Sequence, residues 1–223
     1  MSYDFLIRPA TDADASSIAA IHRETFPRSG LSALGQRALT DYYRWQMQTT
    51  PELDSAAAEH SGRVVGYCLA GGSFGSLADF LRSHGSIVAR ETLRHPAVLI
   101  DARLLRIFPY LTRRIRKQFR PARDKIRSAQ LGAHSYGIQA IAVAAEAQRR
   151  GVARALMAWA EAEGLRRGIR YMYLAVDTAN QPAISFYEYL GWQRVKKGDY
   201  WNGHMKKDLL AGPQKPIEAA SSR

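Results

Sequence analysis

Ile138-Gln-Ala-Ile-Ala-Val-Ala-Ala-Glu-Ala-Gln148-Arg149-Arg150-Gly151-Val152-Ala153-Arg154-Ala155-Leu156 is the stretch whose reading decides the fold. Ile138, Ile141 and Val143 anchor a strand predicted over 136–143. A loop of small and basic residues follows. Val152, Leu156, Trp159, Ala160 and Glu163 then recur at helical spacing, which predicts a helix from Gly151 to Arg167. A loop that opens a helix presents amides without intrahelical partners. With Arg149 and Arg150 beside them, these amides form a site suited to an anion. The same residues also fit an ordinary capped helix with solvated arginines. The loop lacks the second glycine and the Lys-Ser/Thr of a P-loop, which argues against triphosphate hydrolysis. It also lacks Gly-x-Gly-x-x-Gly, which argues against a dinucleotide fold.

Working outward, Tyr171 to Val176 reads as a buried strand. Pro182 sits at a helix start and Gly191 at its end. Trp192–Val195 and Tyr200–Leu209 read as closing strands. Upstream, Phe5–Arg8 is a short strand, and Thr11 and Asp12 offer caps for a helix carrying Ile18, Ile21, His22 and Phe26. Pro27 to Gly30 break that helix, and a second one runs from about Leu34 to Met47. Ala56–Glu59 and Val64–Ala70 flank a turn and read as a hairpin. Between 73 and 134 lie helical pieces, 87–93, 98–111 and 115–126 among them, broken at Pro96, Pro109 and Pro121. The order β-α-α-β-β, helical insertion, β-α-β-α-β-β is that of a mixed α/β domain. One domain is expected over 1–211, with the insertion 73–134 inside it and a disordered tail at 212–223.

The 223 residues are 46% hydrophobic, enough to bury a core. No apolar run approaches the length of a membrane span. The N-terminus reads as no signal peptide, and the single cysteine, Cys68, points to a reducing cytoplasm. The net charge is +12, which favours anionic partners. It is concentrated: residues 73–134 carry thirteen Lys and Arg against four acids.

Several motifs in this order carry a resemblance. Gln148-x-x-Gly151-x-Ala153 follows a strand, and Asn180-Gln-Pro-Ala183 through Phe186-Tyr187 to Gly191-Trp192 follows the next one. Ile7-Arg8-Pro9-Ala10-Thr11 and His204–Leu209 resemble first and last strands. Together these resemble the GNAT superfamily of acetyl-CoA-dependent N-acetyltransferases, over about residues 3–72 and 135–210. The resemblance implies a central twisted mixed sheet flanked by helices, with the helical insertion lying before the cofactor-binding strand. It implies that the CoA pyrophosphate lies on the loop of Gln148, Arg149, Arg150, Gly151, Val152, Ala153 and Arg154. The pantetheine arm would pair with Ile141, Ala142 and Val143, and an amide of Val143 or Ile141 would polarise the thioester carbonyl. Asn180 would bond the pantetheine chain. Tyr187 would lie near the sulfur and protonate the leaving thiolate. Ala153 stands where glycine is commoner, a departure of one methyl.

The expected reaction is direct attack of a neutral amine on the acetyl thioester, for which an ammonium with a pKa near ~10.4 must first lose a proton. Relatives often carry a glutamate at the position that falls on Gly137. With no carboxylate between Leu131 and Val143, His134 is the nearest candidate base, and loss of the proton to water is the competing route. The six histidines show no metal-ligand pairing, so no metal is expected. Cys68 is expected to be a small buried hydrophobe.

The basic insertion admits three readings: a lid whose arginines meet an anionic acceptor, an amphipathic surface over 98–127 resting on acidic lipid, or a solvated decoration or homodimer contact. The favoured acceptor is a small amine such as an amino sugar or nucleotide-linked sugar. A protein N-terminus or lysine is the alternative. A nucleic-acid- or membrane-binding module is the alternative of another class, and nucleic acid ranks below catalysis because no reader motif appears.

Overall fold

The structure is a computed structural model and describes residues 4–72, 77–84 and 136–211. The expected helical pieces at 87–93, 98–111 and 115–126, the tail 212–223 and His134 lie outside the described residues. Seven strands form one sheet in the order β1-β2-β3-β4-β5-β7-β6. They are β1 (Leu6–Pro9), β2 (Leu53–His60), β3 (Arg63–Gly71), β4 (Tyr136–Val143), β5 (Tyr171–Ala175), β6 (Gln193–Lys197) and β7 (Tyr200–Asp208). The described helices are α1 (Ala15–Thr25), α2 (Gly30–Ala33), α3 (Gly35–Thr49), α4 (Leu77–Ser83), α5 (Val152–Arg166) and α6 (Gln181–Tyr189). This mixed sheet flanked by helices is the architecture expected from the sequence. One local difference is α2, which forms where Pro27–Gly30 predicted only a break: Ser29 caps it by accepting the Ser32 N–H at 3.0 Å.

Strand alternation sorts side chains into two cores. On one face Cys68, Ala70, Ile138 and Val143 pack against Val152, Leu156, Met157 and Ala160 of α5. On the other, Tyr67, Leu69 and Ala142 pack against Ile18 and Ala19 of α1 and Leu39, Tyr42 and Tyr43 of α3. Cys68 is fully buried, and burial pushes its thiol up to about 12.

Two irregularities shape the middle of the sheet. The β3–β4 register shifts at Leu69/Ala70, so that Leu69 faces Ala140 while Ala70 faces Ile138. Gln139 is therefore the extra residue of a bulge, a feature that bends a strand. On the other side, β4 and β5 run parallel for only two pairs, Tyr136↔Met172 and Gly137↔Tyr173. Beyond these, β5 stays with β7 through Leu174↔Met205 and Ala175↔His204, and β4 stays with β3. The sheet opens between them. Gly203 lets β7 follow the end of β5: its φ is +92°, its carbonyl accepts the Val176 N–H at 3.0 Å, and a Cβ there would lie 2.1 Å from the Val176 oxygen.

One ion-pair network fastens the N-terminal strand to α1. Arg8 donates Nη1 and Nη2 to Asp14 at 2.7 and 2.9 Å, and Nε to Glu59 at 2.7 Å. Asp14 also accepts the Thr11 N–H at 2.7 Å. Only 6% exposed, Asp14 is held down to about 2, chiefly by Arg8. Because its folded pKa is depressed, the pairing stabilises the fold fully above the ordinary value of 3.8, and the contribution is lost as pH falls toward about 2. Asp14→Asn is therefore expected to lower the unfolding free energy by about 2 kcal/mol at neutral pH. The gap between variant and wild type should close as pH drops through that window. Urea melts at a series of pH values measure both effects; a gap independent of pH would refute the assignment.

Candidate active site

The opening between β4 and β5 is a cavity of about 620 Å³. Ile138 to Val143 form one wall. Leu174 to Asp177, with Asn180, Ala183, Phe186 and Tyr187, form the other. His22, Thr25 and Phe26 of α1 and its C-terminal cap close a third side, and Gln148 and Ala153 stand at the loop end.

The backbone of β4 gives this cavity its chemistry. Ala144 donates its N–H to the Val65 carbonyl at 2.9 Å, which makes that pair a hydrogen-bonded one. With the register Gly66↔Val143, Tyr67↔Ala142 and Cys68↔Ile141, antiparallel alternation then turns the Ala142 peptide groups toward β3. Those of Ile141 and Val143 face away from β3, into the opening. Among the described residues these two have no ladder partner on that side and form an open strand edge, on which only the Val143 carbonyl is taken, by Gln148 Nε2 at 3.1 Å. Ala142 belongs to the same strand, but its backbone is committed to β3 and its buried side chain to the α1 face.

The loop from β4 to α5 is bent by two left-handed residues, Arg149 at φ 61° and Gly151 at φ 85°. Ala147 and Gln148 donate their amides to Ala144 and Ala145 at 2.9 and 3.3 Å in a short 3-10 turn. The first helical bond of α5 is Ala155 N–H to Gly151 O at 3.0 Å. Val152, Ala153 and Arg154 therefore have no carbonyl four residues back within the helix, and the positive end of the helix dipole lies at their amides. Gly151 is needed for its φ, not for a protein neighbour: a Cβ there would meet no atom within 4 Å. Arg149, Arg150 and Arg154 are exposed around this loop. The donor set suits phosphate oxygens, and with the free edge and cavity it fits CoA.

Tyr187 lies half-buried in the cavity wall, its ring 5.4 Å from Phe186 and 6.2 Å from Trp192. Burial pushes its hydroxyl up to about 12, so it is protonated at neutral pH and can donate. Asn180 caps α6, accepting the Ala183 N–H at 3.2 Å. The helix begins at Gln181 rather than Pro182, because the asparagine cap sets the first turn.

Among the lining residues to which the sequence reading gave no functional role are His22, Gln139 and Asp177. His22, 5% exposed, has Nδ1 at 2.6 Å from the Tyr43 hydroxyl and 3.1 Å from that of Tyr67, and Nε2 at 2.9 Å from Ser29 Oγ. Ser29 Oγ donates onward to Ser32 Oγ, which donates to the Phe26 carbonyl. Nε2 therefore carries the proton and Nδ1 accepts. Burial pulls His22 down to about 4, leaving it neutral at physiological pH. Gln139 reaches the Tyr42 hydroxyl at 3.4 Å. Asp177 accepts the Ala179 N–H at 2.9 Å in the turn after β5. The signal for His22 was its helical spacing with Ile18 and Ile21, which marks a core face. Its tyrosine partners are 21 and 45 residues away, beyond what local pattern reveals.

The sequence profile of the acetyltransferase (GNAT) family matches residues 16–192. No curated protein matches the sequence. Among solved structures, the PaiA N-acetyltransferase of Thermoplasma acidophilum, in complex with coenzyme A, is similar with a TM-score of 0.53 at 11% identity, covering 92% of this chain and 99% of that one. The N-acetyltransferase of Staphylococcus aureus Mu50 gives 0.52 at 15%, with 92% and 99% covered. The ribosomal-protein-alanine N-acetyltransferase of Brucella melitensis gives 0.51 at 18%, with 91% and 99% covered. At these identities the likeness speaks for the fold, and it agrees with the family match: this chain belongs to the acetyltransferase (GNAT) family, whose members are acetyl-CoA-dependent N-acetyltransferases.

Proposed function

We propose that the protein transfers an acetyl group from acetyl-CoA to the primary amine of a small molecule, by direct attack within the opening between β4 and β5. The observation that carries this reading is a free backbone edge, at Ile141 and Val143, lying beside the amides at the start of α5. Through the Ile141 N–H and carbonyl and the Val143 N–H, the edge can pair with the amides of a pantetheine arm. Of the loop 148–154 expected to hold the pyrophosphate, residues 149–154 can do so, while Gln148 turns its donors back to the Ala145 and Val143 carbonyls. An N–H of the edge can receive the thioester oxygen as charge develops there. Tyr187, protonated and in the same cavity, supplies a proton to the leaving sulfur. The proton that the acceptor ammonium must lose goes to His134 or to water. Segment 73–134 is assigned to the acceptor side, its positive charge selecting an anionic amine such as a nucleotide-linked amino sugar.

Calorimetry with CoA tests the cofactor site. Gly151→Asp places a carboxylate where the phosphates would lie and is expected to weaken binding at least roughly tenfold. Gly151→Asn shares the backbone cost without the charge and should weaken it far less. Equal losses would remove the phosphates from this loop. An amine screen with thiol-release detection supplies the acceptor for two further tests. Tyr187→Phe should lower kcat by on the order of 10²–10⁴-fold at a nearly unchanged KM for acetyl-CoA. A loss of cofactor affinity with kcat intact would make Tyr187 a packing residue. Reversing the charges of Arg113, Arg114, Arg116 and Lys117 should raise the acceptor KM and spare that of acetyl-CoA. An unchanged acceptor KM would refute the assignment of the segment.

A further inference from the structure

Gln148 heads the loop that opens α5, yet neither of its donors is turned to the start of the helix. Its backbone N–H goes to Ala145 O at 3.3 Å. Its side-chain Nε2 donates to the Val143 carbonyl at 3.1 Å. That carbonyl is one of the groups that strand alternation turns into the opening, and Gln148 itself lines the cavity. The side chain thus folds back and occupies the last acceptor of the free β4 edge.

The consequence concerns register. A strand edge repeats every two residues, so like groups on it recur about 6.6 Å apart. An extended chain with amide groups can pair in more than one position unless something marks the end. Here the Ile141 carbonyl is open to an incoming N–H, while the equivalent carbonyl two residues on is already satisfied. An arm that slipped by one repeat would have to displace Gln148 or share the carbonyl with it, and either gives a poorer pairing than the Ile141 carbonyl offers.

We infer that Gln148 is a positioning residue: by capping the Val143 carbonyl it closes the free edge and sets the single register in which the pantetheine arm of acetyl-CoA lies on β4. This rests on the cofactor reading above, and it gives Gln148 a task distinct from phosphate binding. The phosphates are left to the amides from Arg149 onward. A correct register holds the thioester at the level of Tyr187; a slip of one repeat withdraws it by more than the length of a hydrogen bond.

The test uses the full chain, with binding and spectroscopic readouts that need no acceptor. Acetyl-CoA labelled at the acetyl carbonyl carbon is followed by carbon NMR in the complex. The adenosine bisphosphate fragment of CoA, which lacks the arm, is titrated by calorimetry. Gln148→Met removes the donor at similar size. It should shift the bound carbonyl resonance back toward its free position or split it, and should leave the affinity for the fragment unchanged. Gln148→Arg can donate to the same carbonyl and should restore the wild-type resonance. Gln148→Glu turns an acceptor toward Val143 and should behave like the Met variant. A Met variant that keeps the wild-type resonance overturns the inference. So does a loss of about fivefold or more in fragment affinity, the worth of a direct hydrogen bond to phosphate. If wild type binds neither acetyl-CoA nor the fragment, the cofactor reading itself fails and this inference with it.

Discussion

The parting of β4 from β5 is the constraint on which the rest of the site depends. A sheet normally satisfies every interior N–H and C=O along its ladders, and an unpaired one in the interior carries the cost of a lost hydrogen bond. Here the ladder stops after Gly137↔Tyr173, and the peptide groups of Ile141 and Val143 are left facing a cavity. The bulge at Gln139 interrupts the even pairing of β4 with β3, and the contact of Gly203 with Val176 keeps β5 with β7. The opening is therefore held from both sides by the two half-sheets. A chain of amides entering it meets a strand edge that the sheet leaves without ladder partners, save for the Val143 carbonyl, which Gln148 caps.

The walls of the opening are fixed by polar groups that sit within the cores. His22, Tyr43, Tyr67, Ser29 and Ser32 tie α1, α3, β3 and the start of α2 into one hydrogen-bonded cluster. Each member has a partner, which is the condition under which burying such groups adds rigidity rather than strain. Arg8, Asp14 and Glu59 do the same at the start of α1. On the opposite face α5 is held by apolar packing, and that packing places its unpaired N-terminal amides at the mouth of the cavity. The two sides have different electrical characters. Three exposed arginines surround the loop, whereas Asp177 lies across the opening with its carboxylate committed to its own turn.

The local pattern of the sequence determined most of the elements. Helical spacing from Val152 to Ala160 marked α5, the alternation from Ile138 to Val143 marked β4, and the Asn180-Gln-Pro run marked the start of α6. Each of these signals is carried by residues within two turns or one strand of each other, so it survives in a linear reading. The anion character of the loop was legible for the same reason, because a helix N-terminus and its neighbouring arginines are adjacent in the chain. Only the tertiary structure decided where the ladder breaks, which peptide groups face outward and what surrounds them. Ladder parity depends on which residues of β3 stand opposite β4, and those lie 66 to 77 residues away. The His22 cluster gathers groups from four elements, and the cap on Val143 depends on a rotamer of Gln148. A sequence fixes periodicity because periodicity is a property of neighbours; it leaves open which hydrogen bonds remain unmade, because that is settled only when distant strands take their register.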